Sequence, residues 1–364
     1  MEQWDAGDGI MLYVTTLDRT VTYTAQATLE RATGPDGGLF VPMTLPQYDR
    51  KGLAALVALP FWECVAEILN QFFPLRLRGC DLQEPEGVCP EPVYIRYKIA
   101  VAELWDRKTG SFQGLRCGLC DRLGSKLRSR GNWPFVAVDI ALLFGLYGAL
   151  CRSGWLRLGE TVQLAAASGE FTMAVAAWYA RRMGLPLGDV ICVCNDNGAP
   201  WELLHRGELR LSGDCTATRL PLLDVGLPCN LERLVSQTLG PQTAELYSGT
   251  RSRRGTFALN PEQQASLRAG FSVSVVSAGR PGALIPRIFE TSDYLLSPYS
   301  ALVYGGLMDY RALAGEGTPA LLLAEESPLR WGEEVLASLG KPVENIVGQI
   351  DGLQRQAALH REGD

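Results

Sequence analysis

The sequence predicts an α/β protein built on a parallel sheet with flanking helices, and three observations carry that expectation. Thr161–Ala167 is an apolar run of strand length, Ser168-Gly169-Glu170 is a turn, Phe171–Met183 has helical spacing, and Asp189–Cys194 is a second strand. Strand, turn, helix, strand within about 34 residues is a βαβ unit, which requires parallel strands buried by helices. Ser272–Ser277 and Ala320–Ala324 add two more strand-like runs. Phe135–Cys151 is apolar nearly all round, which predicts a helix buried on every face.

The remaining elements follow in order. Pro35-Asp-Gly-Gly is turn chemistry, with glycines able to take positive φ, and Leu39–Val41 reads as a short strand behind it. Leu53–Phe73 shows helical spacing broken by Pro60, which predicts two helices. Residues 79–92, rich in acids and prolines, read as a surface connection, and Val93–Leu104 alternates like one strand. Gly184-Leu185-Pro186 stops the helix of the βαβ unit, and Trp331–Leu339 reads as a late helix. Leu295–Leu307 is left open.

The 364 residues carry 40 acidic and 34 basic side chains, a formal net charge of −6, with 47% hydrophobic and 20% charged residues. That balance excludes a disordered chain and offers no excess of cations for a nucleic-acid backbone. Ten cysteines are too few and scattered for a disulfide scaffold. The first twelve residues are acidic where a signal peptide needs a basic region, and the apolar run Pro134–Leu150 carries Asp139 and is short for a membrane span. The expectation is a cytoplasmic protein with no membrane or nucleic-acid partner.

Most isolated chemical signals have a plainer reading. Cys117-Gly-Leu-Cys120 has the spacing of half a zinc or redox site, but no second pair exists and the chain has two histidines, so buried thiols are expected and no metal. Cys192 and Cys194 share one strand face and read as core. Arg251, Arg253 and Arg254 read as a solvated loop, and His205 is assigned no role. The turn Ser168-Gly169-Glu170-Phe171-Thr172 is more informative. A strand ending in a Ser-Gly turn that opens a helix is where α/β proteins hold a phosphate. Here Glu170 opposes one: a carboxylate about 4 Å from a phosphate charge costs about 4 kcal/mol at an effective dielectric near 20. The expectation is that Glu170 supplies the negative charge internally, in the first turn of its own helix.

At these residues the chain resembles the threonine synthase family, pyridoxal-phosphate enzymes of the tryptophan synthase β-like fold (fold type II). Gly37-Gly-Leu-Phe-Val-Pro42 resembles the family's DGGLFVP signature. Ser168-Gly169-Glu170-Phe171 and Met183-Gly-Leu-Pro resemble its SGNFGD turn and MGLP stop, Tyr294–Tyr304 its late Pro-His segment, and Ala324–Trp331 its TAHP strand end. The resemblance implies the large-domain half of that fold: a family-type N-terminal segment over residues 1–92 and a truncated α/β domain over 93–364.

The departures from the family pattern shape the functional expectation. Glu103-Leu-Trp-Asp-Arg-Lys-Thr-Gly-Ser-Phe-Gln113 matches the motif of the cofactor lysine, and the lysine position is Gln113. An amide can neither form the Schiff base nor move the protons. Lys108 and Lys126 lie off the aligned position. Glu170 and Thr172 replace the Asn and Gly of the phosphate turn; Glu325 stands at the ring-nitrogen position with Ser327 in place of the His of TAHP, and Pro298-Tyr299 replaces Pro-His. From Gln113 to Gly169 is 169 − 113 = 56 residues, too few for the family's small substrate domain, which is expected to be missing between about 114 and 134.

The sequence therefore predicts no catalytic residue, no bound cofactor, and a catalytically inactive homologue acting as a binding or regulatory subunit. Its partner would be a protein, a second copy or an active threonine synthase among them, docked on apolar surface exposed around helix 135–151. Two alternatives stay open: an active threonine synthase using O-phosphohomoserine, and a sensor or repurposed enzyme with Glu170 and Glu325 as a carboxylate pair in the old cleft.

Overall fold

The computed structural model describes residues 11–83, 91–129, 131–315 and 317–363. The readings made on residues 1–10 and 84–90 lie outside the described residues. The chain is an α/β fold around a six-stranded sheet of order β10-β7-β6-β11-β5-β4. Its strands are β4 (Val93–Ile95), β5 (Ile99–Glu103), β6 (Val162–Ala167), β7 (Leu187–Cys194), β10 (Phe271–Val275) and β11 (Ala320–Ala324). Every neighbouring pair is parallel except β4 with β5. The central strands β6 and β11 read Val-Gln-Leu-Ala-Ala-Ala and Ala-Leu-Leu-Leu-Ala and are buried almost throughout, as strands covered on both faces must be.

The predicted βαβ unit is β6, the helix Thr172–Arg182 and β7, paired in parallel. The Pro60 break separates helices Arg50–Ala58 and Phe61–Phe72. Val93–Leu104 is not one strand. Tyr97 and Lys98 both take left-handed backbone, at φ 64° and 53°, and turn it into a hairpin that sets Ile95 opposite Ile99. The stretch left open at Leu295–Leu307 is a helix, Pro298–Ala314, whose Ser297 cap accepts from the Ser300 N–H. Residues β1 (Leu12–Thr15), β2 (Tyr23–Thr24) and β3 (Phe40–Pro42) form a small antiparallel sheet of order β2-β1-β3. The pair β8 (Glu208–Arg210) and β9 (Thr256–Ala258) forms a third.

The helix Trp133–Arg152 is the centre of the core, not an exposed face. Phe144 is 1% and Leu146 0% accessible, and helices Arg50–Ala58, Phe61–Phe72 and Thr172–Arg182 pack around it. Among the described residues it is the single helix long and apolar enough to cross a bilayer, and 94% of its most apolar window is buried within the protein. The expected docking surface at 135–151 is therefore corrected: its apolar faces are used inside the fold. The small N-terminal sheet packs into that same core through Tyr13 and Phe40. Tyr13 donates to the Phe72 carbonyl and accepts from Trp133 Nε1, tying the two together.

Candidate functional site

The parallel strands β5, β6 and β11 end at one edge of the sheet, where open α/β sheets hold their ligands. There Gln113, Arg116, Ala167, Gly169, Leu323, Glu325 and Glu326 line a common cleft. The sequence places Gln113 and Glu325 about 200 residues apart, and the pairing of β11 with β5, Ala324 opposite Glu103, brings them together. The Phe112 N–H donates to the Glu325 carbonyl at 2.7 Å, which seats the first turn of helix Phe112–Arg122 against the end of β11. Gln113 Nε2 also donates to Cys117 Sγ at 3.5 Å.

The cleft is narrow. It measures about 30 Å³, room for about two water molecules. Leu222 and Leu223, from a short turn at Pro221–Leu223, close it, and Tyr299 holds that turn by accepting from the Leu222 N–H at 3.3 Å. Tyr299, which the resemblance sets at the family's Pro-His position, here fixes a turn of apolar side chains.

Its floor carries a buried ion pair that the sequence reading missed. Arg116 Nε and Nη2 meet Asp139 Oδ1 and Oδ2 at 2.7 and 2.6 Å, and both side chains are shielded from solvent. Burial pulls the Arg116 pKa down, but the Asp139 charge and hydrogen bonds outweigh it and the net shift is upward. Its guanidinium also stacks on Phe112 at 3.7 Å. The signal was present: an aspartate in the middle of an apolar helix needs a cation.

The phosphate-type turn departs from expectation. Phe171 takes left-handed backbone at φ 61°, so the helix begins at Thr172 and Glu170 lies outside it. Glu170 Oε2 accepts from the Cys229 N–H at 2.9 Å, at the start of helix Asn230–Leu239. Asn230 Nδ2 donates to the Glu170 carbonyl and to Thr172 Oγ1, each at 3.1 Å, and its Oδ1 accepts from the buried Arg233. The internal carboxylate thus serves a different helix from the one expected. Of the five turn residues, Gly169 lines the cleft while the Glu170 carboxylate engages Cys229; a Glu170–Glu325 pair is not what the geometry brings together. Ser168 is buried and its N–H donates to the Val193 carbonyl.

The other singled-out cysteines and His205 do not line the cleft. Cys192 and Cys194 are buried in β7, where burial raises both thiols, Cys194 to about 11. Cys117 and Cys120 are free thiols, and burial raises that of Cys120. No group of metal-ligating side chains occurs among the described residues. His205 stacks on Trp201 in a π-turn, and burial lowers its pKa.

A family model of the threonine synthase N terminus matches residues 12–85, the span that contains Gly37-Gly-Leu-Phe-Val-Pro42. Threonine synthase of Corynebacterium glutamicum is 26% identical over 201 residues, covering 52% of this chain and 41% of that protein. The chain is similar to threonine synthases in its N-terminal segment and over about half of its length. Human threonine synthase-like 1 is 27% identical over 175 residues, 47% of this chain and 23% of the relative. These matches span less than half the length of the curated relatives. The PLP-bound threonine synthase of Brucella melitensis superposes with a TM-score of 0.77 at 18% identity, over 90% of this chain and 91% of its own. The yeast enzyme superposes at 0.78 and 16% identity, over 92% and 90%. These two show the fold.

They also correct one expectation. The family fold is a cofactor fold, and the Brucella structure is a PLP-bound example, so the prediction that no cofactor belongs to it is overturned. The residues of this chain do not fit covalent attachment of that group. The described residues lining the cleft include no lysine; Lys108 opens into a neighbouring cavity and Lys126 pairs with Asp121 at 3.0 Å. A 30 Å³ space is also far below the several hundred Å³ of an ordinary ligand site.

Proposed function

We propose that this family member has left the lysine-dependent reaction and acts as a binding or regulatory subunit, placed in the cytoplasm. The observation that carries the reading is Gln113: the residue at the lysine position, in the cleft beside Glu325, is an amide with no nucleophilic amine. The span of 56 residues between Gln113 and Gly169, filled by helices Phe112–Arg122 and Trp133–Arg152 and by β6, supports it, since little chain is left for a substrate domain. The partner in this reading is a protein, a second copy or an active threonine synthase, met on a surface other than helix Trp133–Arg152.

Two measurements test it. Titration with pyridoxal phosphate, followed by borohydride and peptide mapping, is expected to label no single lysine stoichiometrically, and O-phosphohomoserine to yield no threonine. A stoichiometric adduct at one lysine, or turnover, overturns the reading. Gln113→Lys alone is expected to remain inactive, because Leu222, Leu223 and Tyr299 still fill the cleft. Light scattering, with and without a purified active threonine synthase, then reads the partner: a stable dimer or a mixed complex is expected, and a strict monomer under both conditions removes the subunit role.

A further inference from the structure

A cavity of ligand size lies beside the cleft, not in it. Loop 105–110, the turn Leu329–Trp331 and the helix Ile346–Gly363 enclose about 590 Å³. Small-molecule sites typically run about 300–1,000 Å³. The position is the same sheet edge as the cleft, past the ends of β5 and β11.

Its walls carry an excess of cations. Arg107, Lys108 and Arg330 line it against two carboxylates, Asp106 and Asp351, in a chain of net charge −6. Asp106 is committed to the loop itself: Oδ1 accepts from the Thr109 N–H and Oδ2 from the Thr109 hydroxyl, both at 2.6 Å. Arg330 reaches Glu326 at 3.3 Å, on the wall shared with the cleft. Arg107 and Lys108 are exposed and form no ion pair among the described residues. Trp105, half-buried, and Leu329 supply apolar surface in the same cavity.

We propose that this cavity is a second ligand site and that it takes a small phosphate monoester carrying a ring or other apolar body. Arg107, Lys108 and Arg330 meet the phosphate, whose charge near −2 suits a cluster of cations better than a single carboxylate does. Trp105 and Leu329 meet the body. The site is independent of the reading given to the cleft and stands or falls separately.

Phenyl phosphate is the probe, titrated by calorimetry against the full chain, with inorganic phosphate and benzyl alcohol as separate arms. Saturable one-to-one binding of phenyl phosphate is expected, with inorganic phosphate about tenfold weaker and benzyl alcohol not binding. Arg107→Ala with Lys108→Ala is expected to weaken phenyl phosphate at least about tenfold while leaving the thermal transition in place, since both side chains are exposed. Trp105→Ala should erase the preference for phenyl phosphate over phosphate. Undiminished affinity in the double variant, or no saturation by about 10 mM phenyl phosphate, overturns the proposal.

Discussion

The helix Phe112–Arg122 and the helix Thr172–Arg182 both open at the same edge of the sheet, but their starts are held differently. Ser111 caps the first from its own chain, its hydroxyl accepting from the Gly114 N–H at 3.1 Å, and Arg116 then bolts the helix to Asp139. The second starts on a left-handed Phe171 with no side-chain cap. Its turn is held from outside, by Asn230 and by the contact of Glu170 with Cys229. The lysine-position helix is therefore locally encoded and the phosphate-turn helix is held by tertiary contacts. The turn is fastened to a neighbouring helix through its own carboxylate, so the Glu170 side chain is engaged in packing.

The largest effect should come from the bolt on the first helix. Arg116→Ala removes the bidentate guanidinium partner of Asp139 at 0% exposure, and a loss of about 3–5 kcal/mol in denaturant unfolding is expected. A loss under about 1 kcal/mol would mean that the pair does not anchor the helix. Next is the outside fastening of the second helix: Asn230→Ala removes the hydrogen bonds donated to Glu170 and Thr172 and takes one acceptor from the fully buried Arg233, for about 2 kcal/mol.

Smaller effects sharpen the contrast. Ser111→Ala and Glu170→Ala should each cost about 1 kcal/mol, the first by loss of a cap and the second by loss of one acceptor. Hydrogen exchange separates them: Ser111→Ala is expected to loosen the 112–116 amides, whereas Glu170→Ala loosens those at 229–231. Loosening confined to 172–176 in Glu170→Ala would restore the carboxylate to its own helix.

The smallest effect is a pH dependence at the end of β5. Burial raises the Glu103 pKa, against the lowering effect of the Tyr294 hydroxyl, which donates to Glu103 at 2.8 Å. A carboxyl with a raised folded pKa stabilises most below its unfolded value of 4.5 and loses that contribution as pH rises through the folded value. Glu103→Gln should therefore flatten the decline in stability between acidic and neutral pH. An unchanged slope would show that Glu103 does not carry it.

Much of the fold was legible because its signals are local and periodic. Thr161–Cys194 announces a βαβ unit through strand-length apolar runs, a Ser-Gly turn and a Gly-Leu-Pro stop. Helix Trp133–Arg152 was legible as apolar on all faces, but not as the centre of the core; composition alone cannot tell a buried face from one awaiting a partner. The site was half legible. Gln113 and Glu325 follow from motif position, whereas the Leu222–Leu223 lid and the Tyr299 contact join segments 77 residues apart.

By itself the sequence determined the α/β class, the Ser-Gly turn at 168–169 and the amide at residue 113, because each depends on residue identity and short-range spacing. Only the tertiary structure decided that Glu170 serves helix Asn230–Leu239, that Asp139 is paired with Arg116, and that a 590 Å³ cationic cavity lies beside a nearly filled cleft. Those outcomes depend on which distant carboxylate, carbonyl or guanidinium reaches a buried polar group first, and that competition is settled by packing in three dimensions.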